Sequence, residues 1–330
     1  MHPASIAHYN LLEALGEGGL GPVYRARDTR VGRTIALKLV PEAALAGAAR
    51  AEFFEAARAA TALSHPNIAT LFDVGEHDGG AYLAYEYAPG VTVREEMAGR
   101  AVAPRRTVDV GIQIADALAD GHAHGIVHGD IRPDNIVITP KGSAKLLEFG
   151  LSAWTKAGRM RARAASAPET LPPDAMAVVG YMSPEQALGG ALDPRTDVFS
   201  LGVVLYEMLT GKHPFAGAGP PATLVNIIQH VPAAASSVGR DVPADIDPLL
   251  ARALAKDLDA RQQSAASLSA ELRSIGAVLD VRSGDAGESE TVNFGDAGMG
   301  AKGWLGIVLL LALLGLAAWY FLFRPPSGAP

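Results

Sequence analysis

The apolar pattern of this chain changes character near residue 88. From Tyr9 to about Tyr87, short apolar runs alternate with glycine-rich turns, and one Ala-rich stretch with helical spacing, Ala48 to Leu63, interrupts them. That pattern predicts a small sheet carrying one helix. From Val91 onward, Ala- and Leu-rich stretches recur with helical spacing, among them Val108 to Ala123 and Val198 to Leu209. Loops containing Pro, Gly and Asp separate them. The second part therefore reads as a helical lobe, and the fold class as α+β with two unequal lobes.

Chemistry-bearing residues cluster in both parts. The run Gly16-Glu17-Gly18-Gly19-Leu20-Gly21-Pro22-Val23 has the spacing that lets backbone amides approach phosphate oxygens. Alone it is a weak signal, because dinucleotide-binding turns and plain flexible loops share it. A dinucleotide fingerprint would open a helix next. Here Tyr24 to Arg27 and then Ile35-Ala36-Leu37-Lys38 follow, a strand ending in a lysine placed to meet a nucleotide phosphate. Further on comes His128-Gly129-Asp130-Ile131-Arg132-Pro133-Asp134-Asn135, then an apolar strand and Leu147-Glu148-Phe149-Gly150.

In order and interval these blocks resemble the bacterial serine/threonine protein kinases, over about Tyr9 to Ala277. The resemblance implies a two-lobed kinase fold, with a β-rich N-lobe over 9–88 and a helical C-lobe over 89–277. It implies ATP as phosphoryl donor, bound through Gly16, Gly18, Gly21, Val23, Ala36, Lys38 and Glu86, and a protein hydroxyl as acceptor. Asp130 falls where the family places the residue that takes the hydroxyl proton. Arg132 stands where a cation steadies the transferring phosphoryl group, and Asn135 and Glu148 stand at the positions that hold Mg2+ or Mn2+. Tyr181-Met182-Ser183-Pro184-Glu185-Gln186 looks like the end of an activation segment, and Asp197 to Gly202 like the start of the long buried helix. Arg261 resembles the arginine that pairs with the glutamate matched by Glu185.

Four departures from the family pattern bear on activity. Glu148 replaces the aspartate of the D-F-G motif and moves the carboxylate out by one methylene, roughly 1.5 Å, a scale of misplacement that can cost about 100-fold in rate. Counting back from His65-Pro66-Asn67, the helix glutamate that normally pairs with the strand lysine falls on Ala56. Lys38 is therefore expected to lack its usual partner, since Glu52 and Glu55 project to other sides of a helix. Gly129 replaces an arginine that grips a phosphorylated loop in many kinases, and Val178-Val179-Gly180-Tyr181 shortens the substrate-docking loop. The leading expectation is a membrane-anchored serine/threonine protein kinase, its activity open to weakening by these departures. An ATP-binding pseudokinase scaffold is the alternative, and a small-molecule phosphotransferase using an H-G-D loop is a third reading, opposed by Ser183-Pro184-Glu185-Gln186 and the Asp197 helix.

The formal net charge of −7 provides no basic surface for nucleic acid. With no cysteine, disulfides and thiolate metal sites are excluded. His122, His124 and His128 are read as packing and hydrogen-bonding residues rather than zinc ligands. The N-terminus has no secretory pattern. Residues 278–303, rich in Gly, Ser, Asp and Glu, read as a flexible juxtamembrane linker. Trp304 to Phe323 is uncharged throughout and long enough, at roughly 30 Å as a helix, to span a bilayer core. The expectation is a single-pass inner-membrane protein with its kinase domain in the cytoplasm and a short tail, 324–330, beyond the membrane.

Overall fold

The computed structural model describes residues 5–45 and 49–284. The segment Trp304 to Phe323 and most of the expected linker lie outside these residues. Among the described residues no helix is long and apolar enough to cross a membrane.

The N-lobe is a six-stranded antiparallel sheet in the order β1-β2-β3-β4-β6-β5, formed by β1 (Ser5–Ile6), β2 (Tyr9–Glu17), β3 (Pro22–Asp28), β4 (Thr34–Val40), β5 (Leu71–His77) and β6 (Gly80–Glu86). Strand β6 is buried nearly throughout because it sits between β4 and β5, whereas β2 is largely exposed. Helix α1 (Ala49–Ala60) turns Phe53, Phe54, Ala57 and Ala60 onto the sheet, where they meet Leu71, Leu83 and Tyr85. Each large side chain there contributes roughly 1.5–3 kcal/mol by leaving water.

The C-lobe begins with β7 (Val91–Thr92) and the short helix α2 (Val93–Met97), entered through a capping box in which Thr92 and Glu95 satisfy each other's backbone N–H groups. Helix α3 (Pro104–Ala123) starts with proline in its first turn and buries Val108, Gly111, Ile114, Ala115 and Leu118, one stripe at helical spacing. Strands β8 (Ile136–Ile138) and β9 (Ala144–Leu146) pair antiparallel next to β7. Then follow α4 (Lys156–Ser166), α5 (Met176–Val179) and α6 (Pro184–Ala187). Helix α7 (Pro194–Thr210) is buried on every side, capped at one end by Asp193 and closed at the other by Gly211 at φ +67°. The lobe is completed by α8 (Pro220–Gln229), α9 (Ala235–Val238), α10 (Asp247–Ala253) and α11 (Ala265–Ser283). Helix α11 continues past Ala277, where the sequence suggested a linker, because Leu279 still packs on the C-lobe core.

Candidate active site

The glycine turn joins β2 to β3 and closes on itself, with the Gly18 N–H donating to the Gly21 carbonyl at 2.8 Å. Gly21, at φ +149°, brings its backbone so near β4 that a Cβ there would lie 2.2 Å from the Leu39 carbonyl oxygen. Only glycine permits that approach. Beneath the turn lies a cavity of about 530 Å3, whose lining includes Gly16, Gly18, Val23, Ala36, Lys38 and Glu86 from the N-lobe and Asn135 and Glu148 from the C-lobe. Glu86 holds the Lys145 Nζ at 2.7 Å.

Lys38 reaches inward from β4 with 8% of its surface exposed, and its Nζ donates to Glu148 Oε1. The sequence reading left Lys38 without a partner once Ala56 replaced the helix glutamate. The longer arm of Glu148 supplies one, across 110 residues of sequence. Glu52 and Glu55 are solvent-exposed, and Ala56 packs into the apolar cluster beside Trp154 and Val74. Burial by itself would push the Glu148 carboxyl up. The charge and hydrogen bond of Lys38, with Arg132 and His128 behind them, outweigh that and hold it below the usual carboxylate range. Glu148 sits at φ +61°, a left-handed conformation that costs about 1–2 kcal/mol for a residue with a Cβ. Its Oε2 is buried and accepts no hydrogen bond from the described residues.

The loop that carries Asp130 is held from below by Asp197 at the start of α7. This fully buried carboxylate accepts the N–H groups of His128 at 2.8 Å and Gly129 at 2.7 Å and pairs with His122 Nε2 at 2.8 Å. His128 accepts the Asp130 N–H at Nδ1, which leaves Nε2 to donate to the Leu147 carbonyl at 2.8 Å and ties the loop to the strand before Glu148. These contacts fix Asp130, whose Oδ2 accepts from Asn135 Nδ2 at 3.0 Å and from Arg132 Nε at 3.4 Å. Arg132 also reaches Asp134 at 3.1 Å.

The other oxygen of Asp130 is taken by a residue the sequence reading passed over. Arg161, in α4 and 9% exposed, donates from Nη1 to Asp130 Oδ1 at 2.5 Å and from Nη2 to the Ser152 carbonyl at 2.8 Å. Helix α4 is set by Thr155, whose Oγ1 accepts the Gly158 N–H at 2.8 Å. That threonine cap before a run of helix formers was the available signal. Glu185 and Arg261 form the expected pair, bidentate at 2.7 and 3.0 Å, and the Arg261 guanidinium is wholly buried. The shortened stretch before Tyr181 becomes the single turn α5, and His213 Nε2 lies 2.9 Å from the Gly180 carbonyl that follows it.

Residues 9–271 match the family model for the protein kinase domain. The chain belongs to the protein kinase family. One relative is "Probable serine/threonine-protein kinase SCO3848" of Streptomyces coelicolor, 38% identical over 267 residues that make up 78% of this chain and 38% of that one. Another is serine/threonine-protein kinase PknB of Mycolicibacterium smegmatis, 37% identical across 80% of this chain and 42% of the relative. The chain thus spans about two-fifths of the length of these curated relatives. Among solved structures, a single-residue mutant of the Mycobacterium tuberculosis PknI kinase domain superposes with a TM-score of 0.63 at 26% identity, covering 83% of this chain and 97% of that one. Family membership implies use of ATP and a divalent cation.

The residues present fit such a cation. Glu148 Oε2 is a buried, unpartnered carboxylate oxygen, and a Cβ on Gly19 would lie 3.0 Å from it. Asn135 offers a side-chain carbonyl on the same cavity wall. Hard oxygen donors of this kind suit Mg2+ or Mn2+.

Proposed function

We propose that the chain is a membrane-anchored serine/threonine protein kinase that transfers the γ-phosphoryl group of ATP to protein hydroxyls. The observation that carries this reading is the meeting of Lys38, Asn135 and Glu148 on the walls of one cavity beneath a glycine turn, with Asp130, outside the lining, bonded to Asn135.

Lys38 holds the α- and β-phosphates, and the backbone of the glycine turn covers them. Asp130 accepts the proton of the attacking hydroxyl as its oxygen bonds to the γ-phosphorus. The bond from that phosphorus to the β–γ bridging oxygen breaks, and ADP leaves. Arg132 stabilises charge on the transferring group. Asn135 and Glu148 would hold Mg2+ or Mn2+, which when bound neutralises charge on the phosphates. The uncharged run Trp304 to Phe323 supports a single-pass anchor in the inner membrane with the kinase domain in the cytoplasm, where ATP is.

A second reading, an ATP-binding scaffold without transfer, is favoured by one observation, the Arg161 guanidinium on the Asp130 carboxylate. The full chain in detergent separates the two. ATP-dependent thermal shift with and without Mg2+ or Mn2+ reads binding, and radiolabel transfer to a generic basic protein reads catalysis. A kinase loses transfer in both Lys38→Met and Asp130→Asn. A scaffold binds nucleotide and transfers nothing, and absence of both binding and transfer would refute both readings.

A further inference from the structure

The kinase resemblance assigns two separate carboxylates to two tasks: a glutamate on the N-lobe helix neutralises the strand lysine, and an aspartate in the D-F-G motif holds metal. This chain has lost the first to Ala56 and has lengthened the second to Glu148. We infer that the two oxygens of Glu148 divide these tasks, Oε1 serving as the counter-ion of Lys38 and Oε2 as the metal ligand beside Asn135. The inference rests on the proposed use of metal and ATP, and it assigns to this one side chain a positioning role that the family pattern gives to helix α1.

Three independent features converge on it. First, α1 offers no carboxylate to the site. Glu52 and Glu55 are exposed, and at the matching position Ala56 lies in the apolar cluster with Phe53 and Trp154, whose rings meet edge-to-face at 5.7 Å. Second, a lysine buried to 8% exposure requires a counter-charge, and the one bonded to it is Glu148 Oε1. Third, the remaining oxygen of Glu148 is buried yet takes part in no hydrogen bond with the described residues, which is costly unless a cation uses it. The backbone presents the side chain in this orientation. Leu147 N–H donates to the Asn135 carbonyl at 2.9 Å, and Glu148 itself is held at φ +61°.

Side-chain length follows as the determinant. An aspartate at 148 would be short by one methylene, roughly 1.5 Å, and could serve the metal or the lysine but not both. The family's own residue would therefore harm this site unless helix α1 regained its glutamate.

The test uses the full chain in detergent and four forms: wild type, Glu148→Asp, Ala56→Glu and the double variant. A fluorescent ATP analogue is titrated without divalent ion and with Mg2+ or Mn2+, and each form is melted without nucleotide. Glu148→Asp should weaken divalent-dependent binding about 10- to 100-fold and lower the melting temperature, and the double variant should recover most of both. Ala56→Glu alone should leave divalent-dependent binding near that of wild type but lower the melting temperature, because its carboxylate enters an apolar cluster while Lys38 is already paired with Glu148. The division of tasks is overturned if Glu148→Asp binds metal and nucleotide as well as wild type, or if Ala56→Glu gives no recovery in a double variant that melts cooperatively. A wild-type chain that binds no nucleotide under any condition refutes the proposed function, and the metal half of the inference goes with it. The melting data then still judge the Lys38 half, since loss and recovery of the counter-ion need no nucleotide.

Discussion

Replacing Arg161 with alanine should raise phosphoryl transfer. In the structure the guanidinium sits on the oxygen of Asp130 that Asn135 and Arg132 leave free, so a substrate hydroxyl cannot donate to that carboxylate until Arg161 withdraws. Both side chains are at least nine-tenths buried, at 9% and 7% exposure, and the second guanidinium nitrogen is held by the Ser152 carbonyl. A charge-assisted hydrogen bond in such a place contributes about 1.5–3 kcal/mol. Relieving the active state of that cost corresponds to a rate increase of about 10- to 150-fold. Part of α4 should stay docked, because Ala164 is buried and Met160 packs on the C-lobe core, so the gain should lie toward the lower figure. The assay is initial-rate radiolabel transfer to a generic basic protein, with Arg161→Lys as an intermediate and Asp130→Asn in the Arg161→Ala background as the catalytic blank. Equal or slower transfer by an Arg161→Ala protein with wild-type nucleotide affinity and melting behaviour would show that Arg161 does not block the base.

Arg261→Ala should lower stability by about 3–5 kcal/mol, because it strands Glu185 beside a wholly buried site after removing a bidentate partner. Denaturant unfolding reads it, and a loss below about 1 kcal/mol would mean that the pair contributes little. Glu148 gives a pH signature. Its folded carboxyl lies below the ordinary 4.5, so the stability it contributes is present above about pH 4.5 and is lost as pH falls through the depressed value. Glu148→Gln should therefore be less stable than wild type at neutral pH, and the gap should close in acid. A gap unchanged between neutral pH and about pH 3 would contradict the pairing with Lys38.

The two lobes were legible because their periodicities differ, and because α3 and α7 carry proline in their first turns with apolar stripes behind them. Asp130, Asn135 and the Glu185–Arg261 pair were legible through the resemblance to the kinase family that their motifs carry. The partner of Lys38 was not, since helical projection relates it only to residues of α1, while the residue that answers the charge lies 110 positions away and gains its reach from a single methylene. Arg161 was missed for a related reason. Nothing local distinguishes it from Arg159 or Arg163, and the face of α4 that meets the Asp130 loop is set by the Thr155 cap together with the packing of Met160 and Ala164 on the C-lobe core. Long-range charge pairing depends on where the backbone brings two segments, which a one-dimensional pattern does not encode.

The departures from the kinase pattern also fit together sterically. Gly129, where many kinases have arginine, sits at φ +72°, and a Cβ on it would lie 2.8 Å from Ser152 Oγ. Ser152 is the residue whose carbonyl holds Arg161, and Gly158 packs so closely beneath it that a Cβ would fall 2.1 Å from the same carbonyl. Loss of the side chain at 129 therefore avoids a clash with the Ser152 hydroxyl, in the segment that carries Arg161 onto Asp130. Gly129→Ala should loosen that segment and raise transfer in the same direction as Arg161→Ala. Because both act through one contact, the double variant should gain little over Arg161→Ala alone. Additive gains would separate Gly129 from the Arg161 contact. A fall in transfer confined to Gly129→Ala, with normal nucleotide binding, would assign the glycine to the geometry of the catalytic loop instead.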